Sequence, residues 1–211
     1  MLFNIIATLV VASALYNSYK DFRKDSSVLK IAYLKNKIDY LWAFLIVTFV
    51  FTTVISLSFV EMPKFLTWSW LSLLDSSKSS GSNIVSAPFN SGSIFIISGF
   101  WLLISLALPY LAKAEEEAFR SEIFTTRKRI TRNISFGLAH MVMGVPLFVA
   151  LILSIVGYIF SIFYIRGYKR ASQNEDADEL GIIASTSVHA KYNFLIMSIG
   201  AILSILVLMY S

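Results

Sequence analysis

Residues 134–165 read ISFGLAHMVMGVPLFVALILSIVGYIFSIFYI and contain no Asp, Glu, Lys or Arg, although His140 lies among them. A helix crosses a bilayer with about 20 predominantly apolar residues, so this stretch is too long for one ordinary span. Gly144-Val145-Pro146 marks a candidate break, because glycine and proline interrupt helices. The stretch therefore predicts a short helix bearing His140, a hinge, and a second helix from about Leu147.

The composition of the whole chain also indicates a membrane protein. Of its 211 residues, 56% are hydrophobic and only 15% are charged, whereas soluble domains carry about 25% charged residues. The formal net charge is +5, but the lysines and arginines lie in loops between apolar runs. Anionic lipid headgroups and membrane topology explain that placement, so we expect a lipid bilayer and no nucleic acid as partner. The absence of cysteine excludes disulfides, thiolate metal sites and cysteine catalysis.

The apolar runs predict an all-α, polytopic helical bundle that forms a single integrated domain. We expect about six membrane segments, in the ranges 1–16, 38–60, 93–112, 134–143, 147–165 and 181–210. A cleaved signal peptide is the alternative interpretation of residues 1–16. The region 1–92 would hold N-terminal membrane helices and an interfacial loop, and 93–211 the helical core of the same domain.

Two further segments are predicted to lie at the membrane surface. Lys64–Leu74 carries Trp68 and Trp70, and tryptophan prefers the headgroup level. Lys113–Arg132 is mostly charged and predicts an amphipathic surface helix. Because the basic residues concentrate in the loops 17–37, 113–133 and 166–180, we expect these loops on the cytoplasmic side and both termini on the outer side of the membrane.

An acidic motif, Glu115-Glu116-Glu117-Ala118-Phe119-Arg120, follows the third predicted segment. On a helix, Glu116 and Arg120 are four residues apart in the order that favours an ion pair. Glu115 would then lie about 100° around the helix and could point into a buried site as a general base. The alternative is a solvated helix with acids near its N-terminus, where the helix dipole favours them.

Each of the two histidines belongs to a short polar motif in an otherwise apolar stretch. Phe136 and His140 share a helix face, so the ring can shield and orient the imidazole; the alternative is a buried histidine bonded to a backbone carbonyl. His189 and Asn193 are also four apart. They could donate to an oxyanion or ligate a metal, or they could hold two membrane helices together.

The three motifs in this order resemble those of the CPBP family, the CAAX prenyl endopeptidases of type II and their bacterial relatives. That family carries E-E-x-x-x-R, F-x-x-x-H and H-x-x-x-N on successive membrane helices. Glu115-Glu116 with Arg120, Phe136 with His140, and His189 with Asn193 match these patterns. The likeness covers residues 109–194.

The resemblance implies an intramembrane endopeptidase that acts on a peptide or a lipidated protein. In it, Glu115 and His140 would activate a water, His189 and Asn193 would stabilise the oxyanion, and Glu116, Arg120 and Phe136 would support them. A divalent metal such as zinc is not decided by the sequence; its ligands would be Glu115, His140 and His189. The alternative function is a non-catalytic bacteriocin-immunity or membrane-assembly protein of the same fold.

Overall fold

A computed structural model of the protein describes residues 2–69, 92–171 and 176–210. Eight α-helices follow one another there: α1 Leu2–Lys24, α2 Ser27–Tyr33, α3 Ile38–Ser58, α4 Lys64–Thr67, α5 Gly92–Arg120, α6 Thr126–Ala139, α7 Leu147–Tyr168 and α8 Ala177–Tyr210. A short 3-10 helix, His140–Met143, follows α6. These elements confirm the all-α prediction.

Four helices of the described ranges are long and apolar enough to cross a membrane: Ile38–Ser58, Ile97–Arg120, Leu147–Tyr168 and Ala177–Val207. Together they indicate an integral membrane protein. The prediction of about six membrane segments is wrong, since four are found. Of the other two predicted segments, 1–16 falls in α1 from residue 2 onward, and the side chains of residues 1–8 and 10 are outside the described part.

The fourth predicted segment, 134–143, is not among the four candidate spans. These residues belong to the end of α6 and to the 3-10 helix, and α6 begins with a basic half that includes Arg127, Lys128 and Arg129. The apolar part that remains is much shorter than the thickness of a bilayer. The predicted break is confirmed: Gly144 has a φ of 86°, and α7 begins at Leu147 directly after Pro146.

The predicted surface helix, Lys113–Arg132, is also wrong. Residues 113–120 continue α5, because alanine, glutamate and lysine favour helix and nothing in this segment stops it. The chain leaves the helix at Glu122, whose φ of 57° lies in the left-handed region. A new helix, α6, starts after Thr125, whose side chain accepts a hydrogen bond from the backbone N–H of Lys128.

The predicted interfacial segment, Lys64–Leu74, is described only to residue 69. Within it, α4 covers Lys64–Thr67, and the carbonyl of Trp68 accepts a hydrogen bond from the backbone N–H of Leu147. The remainder of the segment lies outside the described residues. The expected orientation of the loops and termini stays a prediction.

The described chain forms two compact units, which are treated separately below. The first comprises residues 1–43, 88–116 and 186–211, and the second comprises 44–87 and 117–185. Aromatic side chains join the helices of the first unit: Phe194 packs against both Tyr33 and Trp101, with ring centroids 5.5 and 5.8 Å apart. The Tyr33 hydroxyl donates to the carbonyl of Ser105 over 2.5 Å. Burial raises the pKa of Tyr33, so its hydroxyl keeps the proton that this bond needs.

The second unit depends on a close approach of α6 to α7 at Gly137. A Cβ atom built on Gly137 would collide with the backbone carbonyl of Ala150 and with Ser154 on α7. Because a backbone atom cannot rotate away, any larger residue at this position must push the two helices apart. Glycine at position 137 is therefore required by packing.

We expect Gly137→Ala to lower the free energy of unfolding by about 1–3 kcal/mol, the usual cost of inserting an atom into a packed interface. Thermal or denaturant unfolding in detergent micelles measures the change. Gly99→Ala is the matched control, because a Cβ on Gly99 meets nothing within 4 Å and alanine in a helix is favoured over glycine. Equal stability of the two variants would contradict the prediction.

Candidate functional site

Two carboxylates near the end of α5 flank the imidazole of His189 in α8. His189 Nδ1 is 2.8 Å from Glu116 Oε1, and Nε2 is 3.5 Å from Glu115 Oε2. An ionised carboxylate only accepts hydrogen bonds, so Nδ1 carries a proton and donates it to Glu116. In the neutral imidazole, Nε2 is then the acceptor that faces Glu115; in the doubly protonated ring, Nε2–H is a second donor.

The three side chains differ in their access to the surroundings. The side chains of His189 and Glu116 are 1% and 0% exposed, whereas that of Glu115 is 37% exposed. A hydrogen bond between buried charged groups is stronger than one in water, because the local dielectric is low. The site therefore places a partly exposed glutamate, whose Oε2 atom is buried against the ring, beside a buried histidine–glutamate pair.

This geometry differs from the predicted roles of the two glutamates. The sequence assigned Glu115 to the site and Glu116 to an ion pair with Arg120. Instead, both carboxylates contact His189, with Glu116 the nearer. Glu116 and Arg120 are both fully buried one turn apart on α5, and an ion pair between them stays a prediction.

Asn193 lies one turn beyond His189 on α8, as its spacing predicts. Residues four apart on a helix differ by about 40° in direction, so the amide and the imidazole share a face. The side chain of Asn193 is half-buried. Its role as an oxyanion donor stays a prediction.

In the second unit, Phe136 holds the ring of His140. The two ring centroids are 4.8 Å apart, and His140 Nδ1 lies 2.8 Å from the backbone carbonyl of Phe136. A carbonyl only accepts, so Nδ1 is the donor and the neutral ring presents Nε2 as an acceptor. The contact agrees with the expectation that Phe136 orients His140, whose role in the site stays a prediction. It also fits the alternative of a histidine satisfied by a backbone carbonyl.

Arg120 is placed against the other side of this aromatic cluster. Its guanidinium carbon is 4.6 Å from the centroid of the Phe136 ring, within cation–π distance. Gly157 on α7 leaves room for the pair: a Cβ at this position would be 2.7 Å from Phe136 and 3.1 Å from Arg120. The structure thus brings Arg120, Phe136 and His140 together in the second unit, while Glu115, Glu116, His189 and Asn193 belong to the first.

The His, Asp and Glu side chains of the described residues are not arranged as ligands of a catalytic metal. Catalytic zinc uses three protein ligands that converge on one point, and the described residues contain no group of three His, Asp or Glu side chains arranged in that way. Around His189 the reason is geometric, since Glu115 and Glu116 approach opposite nitrogens of the ring. The chemistry proposed below therefore uses the side chains alone.

Sequence reasoning missed a second buried polar cluster in the first unit, formed by Asp39, Ser187 and Lys191. The Ser187 hydroxyl donates to Asp39 over 2.6 Å, and the Lys191 ammonium donates to the Ser187 hydroxyl over 2.8 Å. One available signal was the presence of a lysine in a long apolar helix, because such a residue needs a partner. Its partner Asp39 lies in α3, far earlier in the sequence, and no local pattern identifies it.

Compared with models of known families, with curated proteins and with solved structures, the chain matches none. Its likeness to the CPBP family consequently rests on the three motifs and stays a prediction.

Proposed function

We propose that this protein is an intramembrane endopeptidase of the CPBP type. It would cleave a peptide or a lipidated protein at a prokaryotic plasma membrane, with its basic loops on the cytoplasmic side. The observation that carries the proposal is the partly exposed Glu115 side chain, whose buried Oε2 atom faces the buried His189–Glu116 pair. Ionisable groups inside membrane helices are costly and usually functional. Hydrolases commonly use a carboxylate that activates a water together with an adjacent imidazole that is held in a fixed orientation.

In the proposed reaction, a water hydrogen bonds to Glu115 and lies next to the substrate carbonyl. Glu115 takes one proton from the water, and the oxygen attacks the carbonyl carbon to give a tetrahedral intermediate. His189 in its doubly protonated form donates Nε2–H to the new oxyanion, while Glu116 fixes the ring through Nδ1. When the C–N bond breaks, Glu115 returns its proton to the leaving amine.

The remaining residues act in the roles that the motif resemblance assigns. The resemblance assigns His140 a part in activating the water, and its bond to Phe136 leaves the Nε2 atom of the neutral ring as an acceptor. Asn193 would add a second donor for the oxyanion. Arg120 packs on Phe136, and Phe136 packs on His140. Residues that orient a catalytic side chain in this way affect the rate, because a misplaced side chain catalyses less well.

The test is a cleavage assay in detergent micelles or liposomes with a library of peptides that carry membrane-anchored C-termini. Wild type is compared with His140→Ala, which we expect to cleave at least about 100-fold more slowly, since a general acid–base group contributes 10²–10⁴-fold. Both proteins are also assayed with a chelator. Because the steps above use no metal, we expect the rate to survive chelation; undiminished cleavage by His140→Ala would overturn the role of that residue.

A non-catalytic function of the same fold is the second candidate. It is favoured by the burial of His189 and Glu116, which would also be expected of a polar pair that holds two membrane helices together. An immunity or assembly protein predicts that Glu115→Gln preserves protection or complex formation in cells. Loss of the cellular phenotype in a variant that is normally folded and inserted would exclude this candidate.

A further inference from the structure

A charged network lies on the side of α8 that faces away from the candidate site. Asp39, the second residue of α3, accepts from the Asn36 amide at Oδ1 over 2.9 Å and from the Ser187 hydroxyl at Oδ2 over 2.6 Å. The Lys191 ammonium is 3.8 Å from the same Oδ2 and donates to Ser187 Oγ over 2.8 Å. It also reaches the carbonyl of Lys35 at 3.3 Å. The network therefore connects α8 to the start of α3 and to the short loop between α2 and α3.

The helical period places this network opposite His189. Ser187 and Lys191 are each two residues from His189 along α8, which is a rotation of about 200° around the helix axis. One face of α8 is thus bound to Asp39 and the other to Glu116 and Glu115. Any rotation of α8 that weakened the first set of contacts would also move the imidazole relative to the two carboxylates.

The network cannot react with a substrate itself. Lys191 is 0% exposed, and Asp39 and Ser187 are each 4% exposed, so neither a peptide nor a leaving group reaches the hydroxyl. A lysine and a carboxylate buried in a membrane helix pair are costly to keep, and breaking one partner leaves the other uncompensated. Because these buried groups are costly and cannot reach a substrate, a role in holding α8 in position accounts for them.

We infer that Asp39, Ser187 and Lys191 are positioning residues, which set the rotation of α8 and so hold His189 against Glu116 and Glu115. The positioning follows from these contacts alone. Its consequence for catalysis rests on the proposed function. The two claims can be tested apart, because the position of the His189 ring can be observed without any substrate.

The experiment is NMR of the full-length protein labelled with ¹⁵N-histidine in detergent micelles. The chain has two histidines, so a His140→Ala sample assigns the His189 signals. In Ser187→Ala, which keeps the Asp39–Lys191 pair, we expect the His189 Nδ1–H proton to exchange with solvent about tenfold faster, the effect of weakening roughly one hydrogen bond. Ser187→Thr, which keeps a hydroxyl, should restore the wild-type rate.

Ser161→Ala is the matched control, since Ser161 is a buried serine of the second unit bonded to Asn133 over 3.0 Å. It should leave the His189 signals unchanged. If Ser187→Ala does not fold, the charge-balanced double variant Asp39→Asn/Lys191→Met replaces it, with the same expected increase in exchange. Wild-type exchange at His189 in the variant used would overturn the inference.

Cleavage kinetics then separate this inference from the proposed function. For an active wild type, we expect kcat of Ser187→Ala to fall with little change in KM, because the ring is displaced while substrate contacts remain. If the wild type cleaves nothing but His189 exchange still rises in Ser187→Ala, the endopeptidase proposal fails and the positioning role stands.

Discussion

Glu115→Gln is expected to lower kcat/KM for a cleavable membrane-anchored peptide by about 10²–10⁴-fold, the usual contribution of a general base. Glutamine has the size of glutamate but cannot take a proton from water, so the substitution removes the chemistry and keeps the shape. Because the Glu115 side chain is 37% exposed, its neutral replacement should cost the fold little. Steady-state rates on reconstituted protein measure the loss.

Glu117→Gln provides the control for this variant. It makes the same chemical change two residues further along α5, at an exposed position that the E-E-x-x-x-R pattern leaves unspecified, and we expect its rate to stay close to that of wild type. Retained cleavage by Glu115→Gln would remove Glu115 from the mechanism. An equal loss in both variants would show that the net charge of this helix end, and not a specific base, controls the rate.

Glu116→Ala should have the largest effect on stability, a loss of about 3–5 kcal/mol in the free energy of unfolding. This is the range measured when one partner of a buried charged pair is removed. Glu116 is 0% exposed and accepts the Nδ1–H of His189 at 2.8 Å. Its truncation leaves a buried imidazole donor and a void. Thermal and denaturant unfolding in a single detergent measure the loss.

The matched substitution is Glu116→Gln, whose amide oxygen can still accept from Nδ1. We expect it to cost only about 1–2 kcal/mol, the difference between a charge-assisted and a neutral hydrogen bond. Similar unfolding curves for Glu116→Ala and wild type would mean that the carboxylate makes no net contribution. They would also remove the structural basis for a fixed His189 ring.

The sequence predicted those helices that are marked by a long run of apolar residues or by a glycine and a proline that interrupt the helix. The start of α7 at Leu147 followed from the Gly144-Val145-Pro146 break, and α3 and α8 followed from apolar runs of spanning length. The end of α5 could not be predicted in this way. It depends on Glu122, a residue other than glycine in the left-handed region, and no composition signal marks such a residue.

In the candidate site, the sequence predicted a contact between residues close together in the chain but not one between residues far apart. The Phe136–His140 contact joins residues four apart on one turn, so helical periodicity alone predicted it. The bond between His189 and Glu116 joins positions 73 residues apart, and periodicity pointed only to Arg120, a neighbour of Glu116 on the same helix. Contacts between residues that are far apart in the sequence depend on how the helices pack. Local sequence patterns do not predict that packing.

Lys191 has a consequence for how the protein enters the bilayer. It lies at the middle of the Ala177–Val207 span, where a lysine raises the cost of insertion by about 2.5–3.5 kcal/mol. Its partner Asp39 belongs to α3, which is synthesised before α8. Insertion of α8 is therefore favourable only when α3 is already in place, so assembly of the first unit has to wait for α8.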